Sequence, residues 1–244
     1  MSHNFPLFLP NVTKTFANFH NFHNDENSRL NESREALFQL ISKNLFKQIV
    51  IVDGSNNPVL SNAEIEFFYA QGVVIEQLLF IQNKELVEKF GKGHGEMQIT
   101  NFMVENSKLV NKAGGFIKLT PRYFFDNIEK IIPILNQEKI VFFFYYPFLI
   151  RNFKKYTLSI FYKTTIDFYK TNIFESIVYH SKDTSGLMES VLFRQIIGLN
   201  KKSIKVPFPF FLGISGTTGK KIRNQYYFFR NVCSKFGLMA YTFK

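Results

Sequence analysis

Cysteine is almost absent from this sequence of 244 residues. Cys233 is the only one, so no intramolecular disulfide can form. Tryptophan is missing altogether, and no apolar run reaches the roughly 20 residues that a membrane-spanning helix needs. The most apolar tract, residues 140–150, is interrupted by Pro147. The start of the chain lacks the basic and apolar segments of a signal peptide. These absences favour a cytoplasmic location over a disulfide-stabilised secreted fold.

Acidic residues are scarce in the second half of the chain. Residues 1–150 carry 14 Lys and Arg against 15 Asp and Glu, whereas residues 151–244 carry 16 against 4. A basic half attracts phosphate, whether in nucleic acid, anionic lipid head groups or the diphosphate of a substrate. The alternative is a solvated basic surface without a partner. We expect binding to an anionic membrane surface to weaken steeply with salt.

Hydrophobic periodicity predicts an α/β protein. Helical patterns occur at residues 27–44, 62–71, 84–90, 96–111, 165–172, 186–197 and 224–236. Strand patterns occur at residues 48–52, 73–80, 116–120, 139–146 and 156–162, with a weak strand at 5–9. The alternation favours a mostly parallel, Rossmann-like sheet with flanking helices and a less regular basic C-terminal part. We divide the chain into residues 1–150, a nucleotide-binding half, and residues 151–244, a basic half facing an acceptor or membrane, within one continuous domain.

The first candidate motif ends the strand at 48–52 with Asp53, Gly54 and Ser55. Ligands of open α/β sheets bind beyond the carboxyl ends of the strands. A carboxylate there can accept hydrogen bonds from a ribose or a base, and a glycine lets the backbone approach the ligand. The alternative is a turn in which Asp53 caps its own backbone.

The second candidate motif is the glycine-rich segment 91–96, which opens the helix predicted at 96–111. Gly93 and Gly95 free backbone N–H groups, and Lys92 adds a positive charge to the partial charge of a helix N-terminus. Such a segment suits a phosphate or the polar edge of a sugar. The alternative is a connection between helices whose glycines only cap them.

The third candidate motif, residues 118–122, lies at the end of the strand predicted at 116–120 and extends beyond it. It places Lys118 and Arg122 where a pair of carboxylates would otherwise hold a metal. Arg122 can clamp a diphosphate through two parallel hydrogen bonds. The alternative is a surface ion pair between Arg122 and Asp126.

The order of these motifs resembles that of the GT-A glycosyltransferases, and most closely a small group of bacterial lipopolysaccharide and capsule glycosyltransferases similar to glycosyltransferase family 2. The resemblance covers residues 27–244, and includes residues 105–107, 187–190 and 213–216 beside the three motifs. It departs from the family in lacking the Asp-x-Asp pair that binds metal, and Pro121 stands where that group has glycine.

The resemblance implies transfer of a sugar from a nucleotide-sugar donor to a lipid-linked or polysaccharide acceptor, at the inner face of the cell membrane. The missing Asp-x-Asp pair instead predicts no cofactor, with Mn²⁺ or Mg²⁺ left open, and a metal-independent reaction in which Lys118 and Arg122 neutralise the diphosphate. Glu189 would be the base. The donor-binding residues would be Asp53, Gly54, Ser55, Lys92, Gly93, Gly95 and Glu96. The alternatives are a basic nucleic-acid-binding protein, favoured by the aromatic and cationic residues at 226–230, and an inactive glycosyltransferase-like protein.

Overall fold

A computed structural model describes residues 4–14, 25–145, 156–174, 188–213, 221, 224 and 226–243. The strands are β1 (Leu7–Asn11), β2 (Gln48–Asp53), β3 (Val74–Leu79), β4 (Gly115–Leu119), β5 (Tyr123–Phe125), β6 (Val141–Phe144), β7 (Thr157–Thr165), β8 (Lys201–Ser203), β9 (Phe211–Gly213) and β10 (Ala240–Phe243). The helices are α1 (Glu26–Ser42), α2 (Asn62–Ala70), α3 (Lys84–Phe90), α4 (Lys92–Asn106), α5 (Lys108–Ala113), α6 (Ile128–Leu135), α7 (Ile166–Tyr169), α8 (Met188–Ile196) and α9 (Tyr227–Lys235), and a π-helical turn, Lys170–Phe174, follows α7.

Eight strands form one mixed sheet in the order β3-β2-β1-β4-β7-β6-β10-β8, and β5 pairs with β9 in a separate ribbon. The first four strands are parallel to one another, whereas every pairing from β4 to β8 is antiparallel. Strands from both sides of residue 150 therefore share the sheet. The α/β class and the mostly parallel first half are as predicted.

Helices cover both faces of this sheet, so the β2 strand is apolar on both sides and almost completely buried. Leu37 and Leu40 of α1 and Ile131 of α6 pack on one face. Met103 of α4 and Leu192 of α8 pack on the other. Among the described residues, no helix combines the length and the hydropathy needed to cross a membrane.

The elements differ from the sequence-based expectation at several places, and α6, β5 and β10 have no predicted counterpart. Helix α4 begins at Lys92, so the glycine-rich segment is the first turn of a helix instead of a loop before it. The stretch predicted as a loop at 201–219 contains β8 and β9. The weak strand predicted at 5–9 is β1, which lies between β2 and β4 in the middle of the parallel half.

Candidate functional site

The candidate site lies at the carboxyl ends of the parallel strands. In the sheet, β2 and then β3 lie on one side of β1, and β4 lies on the other side of β1. The strand order thus reverses beside β1, between the loops that follow β1 and β4. In open α/β sheets this reversal is where phosphate-containing ligands bind.

Asp53 ends β2 and is the centre of this edge. It is completely buried. Its Oδ2 accepts hydrogen bonds from Asn11 Nδ2 (3.1 Å), Thr13 N (2.9 Å) and Thr13 Oγ1 (3.1 Å). Its Oδ1 accepts from Ser55 N (2.7 Å), Ser55 Oγ (2.5 Å) and Asn57 N (3.2 Å). Six donors exceed the roughly four lone-pair positions of a carboxylate, so the protein itself saturates Asp53.

This saturation changes the interpretation of the first motif. The bond from Ser55 N to Asp53 is the Asx turn that was the alternative reading of the motif, and it coexists with long-range bonds to the β1 loop. Asp53 therefore holds the loops after β1 and β2 together. The hydroxyl of Ser55 is only partly buried, donates to Asp53 Oδ1 and accepts from Lys14 N at 3.0 Å.

Gly54 and Gly95 make room for Gln82, a buried side chain that the sequence analysis did not single out. A Cβ at Gly54 would lie 2.6 Å from Gln82 Cγ, and one at Gly95 would lie 2.8 Å from Gln82 Nε2. Gln82 N donates to Gly54 O at 2.9 Å, and Gln82 Nε2 donates to Gly95 O at 2.6 Å. Gln82 thereby joins the loop after β2 to the first turn of α4.

A chain of polar contacts, which we call the paired network, crosses the sheet beside α4. Lys118 is 1% exposed, and its Nζ donates to Glu96 Oε1 at 2.6 Å and to the Ser159 carbonyl at 2.5 Å. Ser159 Oγ donates in turn to Glu189 Oε1 at 2.7 Å. A buried ammonium that already has a carboxylate partner is poorly placed to meet a phosphate. The roles predicted for Lys118 and Glu96 stay predictions, and in this structure the two side chains contact each other.

The beginning of α8 packs against the beginning of α4. A Cβ at Gly93 would lie 3.4 Å from the Cβ of Met188, so these two backbones approach closely. Glu189 follows Met188 directly and is therefore held near the first turn of α4. Leu187, the first residue of the segment 187–190 that resembles the family, lies outside the described residues.

Arg29, Lys92 and Arg122 form a second group, which we call the cation cluster. Arg29 is buried, and its Nε and Nη2 donate to the Val12 carbonyl at 3.0 and 2.6 Å. Arg122 Nη1 lies 3.6 Å from Glu32 Oε2, beyond hydrogen-bonding distance, with side chains 12% and 18% exposed. Neither atom has a hydrogen-bond partner. Within the described residues the cluster thus has three cations near two carboxylates, Glu32 and the saturated Asp53, and Arg122 Nη1 lies too far from Glu32 Oε2 for a hydrogen bond.

The pKa values of Arg29 and Lys92 are lowered in part by the charges of the neighbouring cations. Burial and, after it, the positive charge of Arg122 lower the pKa of Arg29 to about 10, against the opposing charges of Glu32 and Asp53. The pKa of Lys92 is lowered by burial first and then by the charges of Arg29 and Arg122. Mutual repulsion of this kind is relieved by a bound anion, because the anion favours the charged form of each group.

Arg122 has a backbone conformation that is unusual for its residue type. Its φ is 71°, in the left-handed region, directly after Pro121 in the turn between β4 and β5. Glycine commonly occupies the corresponding position of a Pro-containing turn. The facing strand approaches so closely that a Cβ on Gly213 would lie 2.3 Å from the Arg122 carbonyl. Strain held in place by close packing is frequent at ligand clamps.

The sequence matches no protein-family model, and no curated protein matches it significantly. Fold and side-chain geometry therefore carry the functional argument.

The structure brings most of the predicted site residues to one edge of the sheet. Arg122 faces Glu32 instead of the predicted alternative, Asp126. Residues missed by the sequence analysis are Asn11, Thr13, Arg29 and Gln82. Arg29 had a detectable signal, because it shares helical spacing with buried positions of α1. Within the described ranges, no three His, Cys, Asp or Glu side chains are grouped as metal ligands. Metal independence stays a prediction.

Proposed function

We propose that this chain is a glycosyltransferase of the GT-A kind, which transfers a sugar from a nucleoside-diphosphate donor to a lipid-linked or polysaccharide acceptor. The observation that supports it best is the cation cluster of Arg29, Lys92 and Arg122 beside the strand reversal. The position favours a nucleotide, and the excess of positive charge favours its diphosphate. The family-like order of the motifs supplies the reaction class.

The cluster has the chemistry that such a reaction requires. The acceptor hydroxyl oxygen bonds to the anomeric carbon, the bond from that carbon to the diphosphate oxygen breaks, and its electron pair leaves with the nucleoside diphosphate. Negative charge therefore grows on the departing group. Arg122 and Lys92 are the cations available to meet it, since Arg29 already donates to a carbonyl. Removing one preorganised donor typically costs about 3–4 kcal/mol of transition-state stabilisation.

Glu189 is the candidate base that accepts the proton of the acceptor hydroxyl. The hydroxyl of Ser159 donates to its Oε1 and fixes the orientation of the carboxylate. Ser159 in turn is bound to Lys118 through its carbonyl, so the paired network supports the base from behind. A positioned base typically contributes about 10²–10⁴-fold to rate. Lys118 and Glu96 act here as positioning residues.

A second cleft at the same edge of the sheet is a candidate for acceptor binding. Its lining is largely aromatic and includes Tyr145, Phe208, Tyr227 and Arg230. Tyr145 follows β6, which runs in the same direction as β4, so this cleft opens at the carboxyl ends of the strands as well. Another cleft, lined by Asn4, Phe5 and Gln48 among others, lies at the opposite ends of β1 and β2.

Calorimetric titration tests the donor site. We expect UDP, GDP or CDP to bind more tightly than its nucleoside, and the double variant Arg122→Gln/Lys92→Gln to lose at least roughly 100-fold in affinity if each cation contributes about 1.4 kcal/mol. The matched control is Lys112→Gln, which removes an exposed charge at the end of α5. Equal affinity of the diphosphates for the wild type and the double variant would contradict the proposal.

Turnover of the donor tests the reaction itself. We expect sugar transfer or donor hydrolysis to persist in EDTA, with Glu189→Gln reducing the rate and leaving the affinity for the diphosphate unchanged. Strict dependence on Mn²⁺ or Mg²⁺ together with full activity of Arg122→Gln would refute the role given to the cations. Tight binding of single-stranded RNA without nucleotide binding would favour the nucleic-acid alternative.

A further inference from the structure

Helix α9 presents an apolar face to solvent. Phe228 and Phe236 are 81% and 72% exposed, and Phe229 and Val232 are also exposed. These four residues have spacings of three and four along the helix, so they form one continuous stripe. We call this stripe the aromatic face.

The opposite side of α9 is the one that packs on the protein, and it is the less apolar of the two. Cys233 and Ser234 are buried there. Arg230 Nε donates to the Tyr145 carbonyl at 3.2 Å, and its guanidinium lies 5.2 Å from the centre of the Tyr145 ring. The helix thus turns Cys233, Ser234, Arg230 and the Tyr227 ring, which packs on Phe210, inward and its phenylalanines outward. A contiguous exposed apolar patch of this kind indicates an interaction surface.

The charge around the aromatic face identifies the partner. Glu189 is the last acidic residue of the sequence, and residues 190–244 contain 10 Lys and Arg. Exposed Lys235 lies beside the stripe on α9. Ser203 of β8 touches the turn after α9, since a Cβ on Gly237 would lie 3.2 Å from Ser203 Oγ, and the exposed cations Lys202 and Lys205 flank Ser203.

We infer that the aromatic face of α9 docks on an anionic lipid bilayer, with its phenylalanines in the interfacial region and the surrounding lysines on the head groups. Interfacial helices combine these features, an apolar stripe and flanking cations. Each cation near an anionic surface adds attraction. A second copy of the chain is disfavoured as the occupant because two basic faces would meet.

Nucleic acid is also a weaker fit than lipid. Single-stranded nucleic acids stack successive bases on aromatic rings along a basic groove. The aromatic face instead has adjacent phenylalanines with Val232 between them on a convex helix. Adjacent rings and an aliphatic side chain suit insertion among acyl chains better than base stacking.

The absence of tryptophan gives a direct test, because a single introduced tryptophan is the only one in the protein. Phe228→Trp should show a blue-shifted emission, and quenching by brominated lipid, on vesicles made of equal parts phosphatidylcholine and phosphatidylglycerol. On phosphatidylcholine alone we expect neither change. The matched control is Phe67→Trp on α2, where the native ring is also exposed, and its emission should stay unchanged on both vesicles.

Flotation with the same vesicles gives the second measurement. Phe228→Ser/Phe236→Ser should reduce partition of the full chain by at least roughly 100-fold, since burial of each phenylalanine contributes about tenfold or more. Phe67→Ser/Tyr69→Ser should bind like the wild type. Both pairs are exposed, so neither is expected to unfold the protein.

Three outcomes would overturn the inference. The first is equal binding of the anionic vesicles by the wild type and the phenylalanine double variant, and the second is no vesicle binding by the wild type. The third is that the wild type binds oligouridylate instead of vesicles, and that the double variant loses this binding. None of these measurements includes a sugar nucleotide or follows sugar transfer, so their result is independent of the proposed function.

Discussion

The paired network and the cation cluster lie at the same edge of the same sheet, and they differ in how their charges are balanced. In the network, Lys118 is buried and Glu96 accepts from it at 2.6 Å. In the cluster, Arg122 and Glu32 remain 3.6 Å apart, and Arg29 and Lys92 add two further cations. A balanced group stabilises the fold, whereas an unbalanced one stores repulsion that an anion can relieve. The comparison therefore separates structural from binding residues among side chains of the same type.

The largest effect is expected in the network. Lys118→Met removes the buried partner of a pair whose carboxylate is 26% exposed, and leaves Glu96 and the Ser159 carbonyl without this donor, which typically costs about 3 kcal/mol of unfolding free energy. Urea denaturation measures the loss. The double variant Lys118→Met/Glu96→Gln should recover part of it, because no carboxylate is then left unpaired. A single variant as stable as the wild type would mean that the network is not structural.

A somewhat smaller loss is expected at the link between the network and Asp53. Gly95→Ala introduces a Cβ 2.8 Å from Gln82 Nε2 and 3.3 Å from Val87 Cγ2, so Gln82 has to move. Overpacking of this kind typically costs about 1–3 kcal/mol. Thermal unfolding of Gly95→Ala, with Gly198→Ala as the control in open space, measures the difference. A Tm for Gly95→Ala equal to that of the control would contradict the role of Gln82.

The comparison extends to a buried lysine on the antiparallel side. Lys163 of β7 is completely buried, and its Nζ donates to the Leu135 carbonyl at 2.9 Å. Burial lowers its pKa from 10.5 to about 8, against the opposing charge of Glu138. The folded state then binds fewer protons than the unfolded state between about pH 8 and 10.5, so the unfolding free energy should rise with pH across that window.

Denaturant titrations at a series of pH values measure this contribution. The variant Lys163→Met should show a flatter profile above pH 8, because the titrating group is gone, and should lose little at neutral pH. Parallel profiles for the two proteins would show that Lys163 does not titrate in this window.

The smallest change in stability is expected in the cluster. Arg122→Gly relieves a positive φ and removes one of three mutually repelling cations. Because left-handed backbone costs a non-glycine residue about 1–2 kcal/mol, and glycine adds unfolded-state entropy of similar size, the Tm should stay equal or rise slightly. Affinity for a nucleoside diphosphate should fall at least roughly tenfold. A variant that is less stable yet binds equally well would reverse the assignment of the two groups.

The sequence predicted the helices and strands whose patterns are local, including α2, α3 and β2 within one or two residues. It underestimated β1, because Pro6 and Pro10 argue against a central strand. The sheet tolerates Pro10 because β4 pairs with β1 only at Leu7 and Phe8, which leaves one side of Pro10 outside the ladder. Tertiary packing likewise overrides low helix propensity in the glycine-rich start of α4.

The candidate site was predictable in position but not in the roles of its residues. Strand ends pointed to Asp53 and Arg122, since those ends are visible as interruptions of apolar runs. The partners were not predictable, because they are far apart in the sequence. The charges of Arg29 and Arg122 repel each other, and Lys118 Nζ donates to the Ser159 carbonyl. Which charge has a partner depends on such contacts, and the partner decides whether a side chain stabilises the fold or remains available to a ligand.

The two borders of the main sheet have a consequence for self-association. An exposed strand at a border is a template on which another chain can add a strand. At one border, β8 has only three residues and two of them are lysines. At the other, the Gln77 side chain of β3 binds the backbone of residues 59 and 60, and Glu76 accepts from the first turn of α5. Strand addition is therefore discouraged at both borders of the main sheet, which disfavours fibril-like growth through them.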